Sequence, residues 1–190
     1  MYGLINKAMA QMMCEYFGQK TWNKVLQEAA IPEIEVFISM KSYPDHITYE
    51  LVRAASTVLK KSPQEIMQML GQYWILYTAE EGYGDMLKMA GDSFPEFLAN
   101  LDELHARVGL GFPKLQPPSF DCLPLAENSL DLHYYSHREG LAHLVIGLLQ
   151  GLSERFNTKI EVSREKRKEE GDDHDEFIIE YQEKNQNNSL

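Results

Sequence analysis

Chemistry in this sequence rests on its histidines and one short donor-rich segment. The six histidines are His46, His105, His133, His137, His143 and His174. Only His105 falls in an apolar periodic run. On a helix, Leu101, Leu104, His105 and Val108 share one face, while Asp102, Glu103 and Arg107 take the others. An imidazole so placed is either a core histidine bonded to a backbone carbonyl or an axial ligand to haem iron. The second role needs a neutral imidazole in an apolar, water-poor site.

The donor-rich segment is Tyr134-Tyr135-Ser136-His137-Arg138. Alternation along a strand puts Tyr134, Ser136 and Arg138 on one face and His133, Tyr135 and His137 on the other. The first face offers a phenol, a hydroxyl and a guanidinium, a receptor for carboxylate or phosphate. The same pattern also suits a solvated strand face with a surface ion pair. On the second face, His133 and His137, even with His143 or His174, lack the spacing of a tetrahedral zinc site and read as solvated histidines. Cys122 has no base beside it in sequence, which makes it a poor nucleophile. No Gly-rich phosphate loop, G-x-S-x-G elbow or H-E-x-x-H stretch is present.

The elements that must position these residues are helices first and strands later. Leu4, Ile5, Ala8, Met9 and Met12 recur at helical spacing up to Gly18. A second helix runs from Thr21 to about Ala29, ended by Pro32, and a third from Ile47 to Leu59; the stretch from Ile34 to Tyr43 is ambiguous. Ser62-Pro63-Gln64-Glu65 has a cap residue, a proline at the first helical position and a glutamate at the third. Its helix buries Ile66, Met69, Leu70, Tyr73 and Trp74. A short helix follows near Tyr83 to Ala90. Ser93-Phe94-Pro95-Glu96 repeats the capping pattern and predicts one helix from Phe94 through Val108. After Gly109 the breakers Gly111, Pro113, Pro117 and Pro118 lead to a strand at Phe120–Leu123, a turn at Ala126–Ser129 and a hairpin partner from Leu130. A helix over 141–156 and strands at Lys159–Val162 and Glu176–Tyr181 complete an α+β domain with an antiparallel sheet. Residues 1–184 are expected to form this domain and 185–190 to fray.

The chain has 190 residues, 44% of them hydrophobic and 25% charged, which excludes a mainly disordered chain. A formal net charge of -11 argues against nucleic acid. No apolar run is long enough to span a bilayer. The two cysteines, Cys14 and Cys122, form no metal-binding pair or disulfide framework. A reducing cytoplasm is the expected compartment.

A buried histidine on one element and an anion receptor on another are what a haem requires, for its iron and its propionates. At this point the sequence resembles the haem–nitric oxide/oxygen binding (H-NOX) family, which includes the haem domain of soluble guanylate cyclase and stand-alone bacterial sensors. It is most similar in motif to cyanobacterial stand-alone members and the cyclase haem domain. The matching segments are Tyr134-x-Ser136-x-Arg138, Asn100-Leu101-Asp102-Glu103-Leu104-His105, the opening Met1–Ala8, Glu81-Gly82-Tyr83 and Pro117-Pro118-Ser119-Phe120. The resemblance implies a haem b (iron protoporphyrin IX) buried between the helical part and the sheet. His105 is then the iron ligand, and Tyr134, Ser136 and Arg138 clamp the propionates. It also implies that Ile5 and Pro118 press on the macrocycle, and that Trp74, Leu101, Leu144 and Leu148 line its pocket.

Oxygen-binding family members carry a tyrosine on the helix after the clamp. Leu144 stands at that position, on the inward stripe with Leu141 and Leu148, while helical phase turns His143 away. The expected function is therefore a sensor of nitric oxide and carbon monoxide. Nitric oxide would weaken the His105 bond and so signal to a separate protein, such as a histidine kinase or a cyclic-nucleotide enzyme. The competing readings are an oxygen-binding haem protein, a haem enzyme (peroxidase or nitric oxide oxygenase), and a carboxylate-binding module without haem. The chain is not expected to be an enzyme itself.

Overall fold

The computed structural model describes residues 1–31, 36–78, 84–112 and 114–183. Five helices, α1 (Gly3–Phe17), α2 (Gln19–Glu28), α3 (Asp45–Leu59), α4 (Pro63–Thr78) and α5 (Gly84–Met89), precede α6 (Phe94–Ala99) and α7 (Leu101–Gly111). The hairpin β1 (Ser119–Ala126) and β2 (Ser129–Tyr135) follows, then α8 (Ala142–Arg155), β3 (Thr158–Lys166) and β4 (Asp175–Glu183). The sheet is antiparallel, in the order β1-β2-β4-β3. This is the expected α+β architecture. Glu81-Gly82-Tyr83, Pro32, Pro113 and the tail 185–190 lie outside the described residues.

Local sequence accounts for most boundaries. Gly18 ends α1 at φ 81°, a conformation that suits glycine. The Ser62–Glu65 capping box forms in full: Glu65 N donates to Ser62 Oγ at 3.1 Å and Ser62 N donates to Glu65 Oε2 at 2.8 Å. One boundary departs from expectation. The single helix predicted from Phe94 through Val108 is broken at Asn100, whose side chain donates to Ala90 O at 2.9 Å. That bond competes with helix continuation, so the His105 helix begins immediately after Asn100.

The inner sheet face carries Leu130, Leu132, Tyr134, Phe177 and Ile179, all buried. The helical layer packs most closely where α4 meets α8. A Cβ on Gly71 would lie 2.2 Å from Leu144 O, and one on Gly147 would lie 2.1 Å from Gln68 O. Only glycines allow these two backbones to approach so far. Trp74 and Leu144 are carried on the two helices so joined.

Candidate functional site

Between the helical layer and the sheet lies a cavity of about 910 Å³. Its wall includes His105, Leu101, Pro118, Tyr134, Arg138, Ile5, Trp74, Leu144 and Leu148. Nine of the ten residues singled out from sequence thus border one space. Ser136 is the exception.

His105 projects from α7, and its ring stacks on Phe120 of β1 with centroids 5.7 Å apart. Its Nδ1 is buried with no hydrogen-bond partner. The carbonyl that would make it an ordinary core histidine is missing among the described residues. Burial pushes the imidazole below its ordinary pKa, and Asp102 pulls more weakly the other way. The ring is therefore neutral at neutral pH, with a lone pair to offer. A half-buried imidazole that borders a largely apolar cavity, its buried Nδ1 unpartnered, fits a haem iron.

Asp102 serves a different purpose. Its carboxylate accepts from Ser119 Oγ at 2.8 Å and from Phe120 N at 2.7 Å. It ties the first turn of α7 to the start of β1, where Pro118 borders the cavity. This tether was not foreseen, because Asp102 read only as an exposed helix face.

The clamp is assembled differently from the expected strand face. β2 ends at Tyr135, so alternation places Tyr134 inward but does not reach Ser136 or Arg138. A bend places those two. Ser136 Oγ accepts from Arg138 N at 3.1 Å, and the Lys168 ammonium holds the Ser136 carbonyl. Tyr134 is 4% exposed, and burial raises its phenol pKa while the Ser136 hydroxyl partly offsets the rise. Arg138 Nε donates to Asp45 Oδ2 at 2.7 Å, and Nη1 to Gln116 O at 2.9 Å. Burial alone would raise the Asp45 pKa, but hydrogen bonds from the Met1 amino group and Arg138 outweigh it and hold the carboxyl below its usual range. Asp45 was missed from sequence. It lies 93 residues from its arginine, and nothing local announces the pair.

The distal wall is leucine-rich, with Leu141, Leu144, Leu148 and Ile5. His143 is turned to α4, where its Nδ1 meets Gln68 Nε2 at 3.3 Å, so the helical phase is as expected. Trp74 stacks on Tyr77 at 5.9 Å. Cys122 is a poor nucleophile, since burial first, then Asp121 and Asp131, push its thiol up to about 11.

One expectation fails. His133 and His174 are not solvated: their side chains are 16% and 6% exposed, and their ring nitrogens face each other at 2.7 Å. The strand pairing of His133 with Glu176 builds this cluster, which sequence spacing could not show.

The haem–NO-binding family model matches residues 2–164. The soluble guanylate cyclase gcy-31 of Caenorhabditis elegans is 32% identical over 161 residues, 84% of this chain and 23% of that protein. The chain thus spans about a quarter of the length of the curated relatives it matches. An H-NOX protein from S. oneidensis in the Fe(II)NO state superposes with a TM-score of 0.86 at 27% identity, covering 96% of this chain and 99% of that one. A triple mutant of an H-NOX protein from that organism, in the Fe(II) state, gives a TM-score of 0.89 at 26% identity over the full length of both chains. The matched length, the fold and the bare histidine in its apolar cavity agree: this chain belongs to the H-NOX family of haem-binding gas-sensor domains.

Proposed function

We propose that this chain binds haem b on His105 and senses nitric oxide and carbon monoxide, signalling through α7 to a separate protein such as a histidine kinase or a cyclic-nucleotide enzyme. The observation that carries the reading is the half-buried, neutral His105 imidazole at the wall of the cavity, whose buried Nδ1 has no hydrogen-bond partner among the described residues. When bound, the haem would supply a ferrous iron able to take a diatomic gas.

The chain's own residues do the rest. His105 provides the iron ligand. Among the described residues Arg138 bonds Asp45 through Nε and Gln116 through Nη1 and has no partner on Nη2, which suits a propionate, with Tyr134 and Ser136 completing the clamp. Ile5 and Pro118 border the cavity where they can press on the macrocycle. The leucine wall offers no hydrogen-bond donor. A bond to a strongly polarised ligand is worth about 1.5–3 kcal/mol, and each 1.4 kcal/mol is tenfold in affinity. The absence of a phenol at Leu144 therefore favours nitric oxide and carbon monoxide over dioxygen. The same leucines disfavour a peroxidase or oxygenase, which need polar groups on that side.

The test is the visible spectrum of the ferrous protein in air-saturated buffer and under nitric oxide. The expected result is a five-coordinate ferrous protein in air that responds at once to nitric oxide. A stable oxy complex would overturn the selectivity, and its disappearance in Trp74→Phe would assign the missing donor to Trp74.

A further inference from the structure

On the outer face of the sheet, behind the clamp, two imidazoles and a carboxylate converge. His133 of β2 pairs in register with Glu176 of β4, and His174 immediately precedes β4. His133 Nδ1 and His174 Nε2 are 2.7 Å apart, and Glu176 Oε2 lies 3.9 Å from each. The one point about 2.1 Å from all three atoms, a zinc–ligand bond length, lies in their plane, so a small rotation of the imidazoles that widens the 2.7 Å separation would be needed to reach the tetrahedral arrangement of zinc.

Each ring has a carboxylate on its outer side. His174 Nδ1 lies 2.6 Å from Asp173 Oδ1, and His133 Nε2 lies 3.2 Å from Asp131 Oδ2. The Asp173 carboxylate accepts from the His174 Nδ1–H, which leaves His174 Nε2 as that ring's inward-facing nitrogen. The two inner nitrogens share a hydrogen bond of 2.7 Å, and a metal ion would take the place of its proton. Carboxylate–histidine pairs of this kind orient and strengthen metal ligands. Glu176 Oε2 is buried and is ion-paired with the Lys166 ammonium at 2.5 Å, a partner that a metal ion would displace. A bulge between Arg164 and Lys166 turns that lysine to the outer face. Its side chain is 42% exposed and has room to leave. Tyr135 covers the site, its ring stacked on His174 at 4.5 Å.

We propose that His133, His174 and Glu176 bind a divalent transition-metal ion of the zinc class, with the fourth position open to water. Two imidazoles and one carboxylate are an established zinc donor set. The metal would brace β2 to the start of β4 on the side of the sheet opposite Tyr134, and its binding requires nothing of the haem pocket.

The test uses the purified haem-containing chain, stripped with chelator and dialysed against zinc. The expected result is one zinc per chain, a higher unfolding temperature, and a zinc-edge X-ray absorption spectrum showing two imidazoles. Affinity should fall at least tenfold in His174→Ala and in Glu176→Gln, and stay unchanged in His137→Ala, whose exposed ring lies outside the cluster. Glu176→Gln is nearly isosteric, so it reports on ligation even if the histidine variant fails to fold. Wild-type protein that binds no stoichiometric zinc, or binding that survives both substitutions, would overturn the proposal.

Discussion

The two sides of the cavity are built on opposite principles. On one side α4 and α8 touch backbone to backbone through Gly71 and Gly147, and present leucines to the cavity. On the other side α7 has no fully buried residue and is held by polar tethers, Asp102 to β1 and Asn100 to Ala90. Close packing transmits strain and resists displacement. An element with few buried apolar contacts opens at low cost. The tightly packed side lines the cavity with leucines, whereas the loosely packed side carries His105.

The comparison can be broken first at the clamp, which ties the bend before α8 to α3 through Asp45 and to the loop before β1 through Gln116. Arg138→Ala removes one partner of a partly buried charge pair. The cost is about 1–2 kcal/mol, well below that of a fully buried pair, because the Asp45 side chain is 36% exposed and keeps the Met1 amino group as a partner. Haem retention on a desalting column should fall sharply for Arg138→Ala and stay unchanged for His137→Ala; equal losses would mean the clamp is misassigned.

A matched pair of glycine substitutions tests the packing contrast itself. In Gly147→Ala the new Cβ meets a backbone oxygen at 2.1 Å, so a helix must shift. The expected destabilisation is about 1–3 kcal/mol. In α7, Gly109 has nothing within 4 Å of a new Cβ, and Gly109→Ala should stabilise by roughly 0.5–1 kcal/mol. Thermal unfolding of both variants checks the pair, and shifts of the same sign would contradict the contrast.

The smallest effect is in pH. The Asp45 carboxyl is held below its ordinary value, so the stability it contributes is complete above that value, about 4, and is lost as pH falls through the lowered one. In Asp45→Asn this acid-limb contribution should be gone. Acid titrations of wild type and variant, followed by far-ultraviolet dichroism, should therefore converge at low pH.

Much of this was legible in the sequence because periodicity and capping are local. The Ser62–Glu65 box, the Gly18 stop and the inward phase of Leu144 over His143 were read directly. The placement of His105 on an apolar stripe was equally local. What escaped depends on contacts between distant segments. Asn100 breaks its helix for the sake of Ala90 O. Arg138 reaches the cavity by a bend rather than by strand alternation, and its partner Asp45 comes from α3. The facing of His133 and His174 needs the β2–β4 register. A local pattern contains none of these.

The central claim is that His105 holds the haem iron, and one substitution tests it most directly. His105→Gly should bind little haem when purified without additives, and should regain a five-coordinate ferrous spectrum when imidazole is supplied to fill the space left by the ring. A His105→Gly protein that retains haem with an unchanged ferrous spectrum in the absence of imidazole would contradict the account.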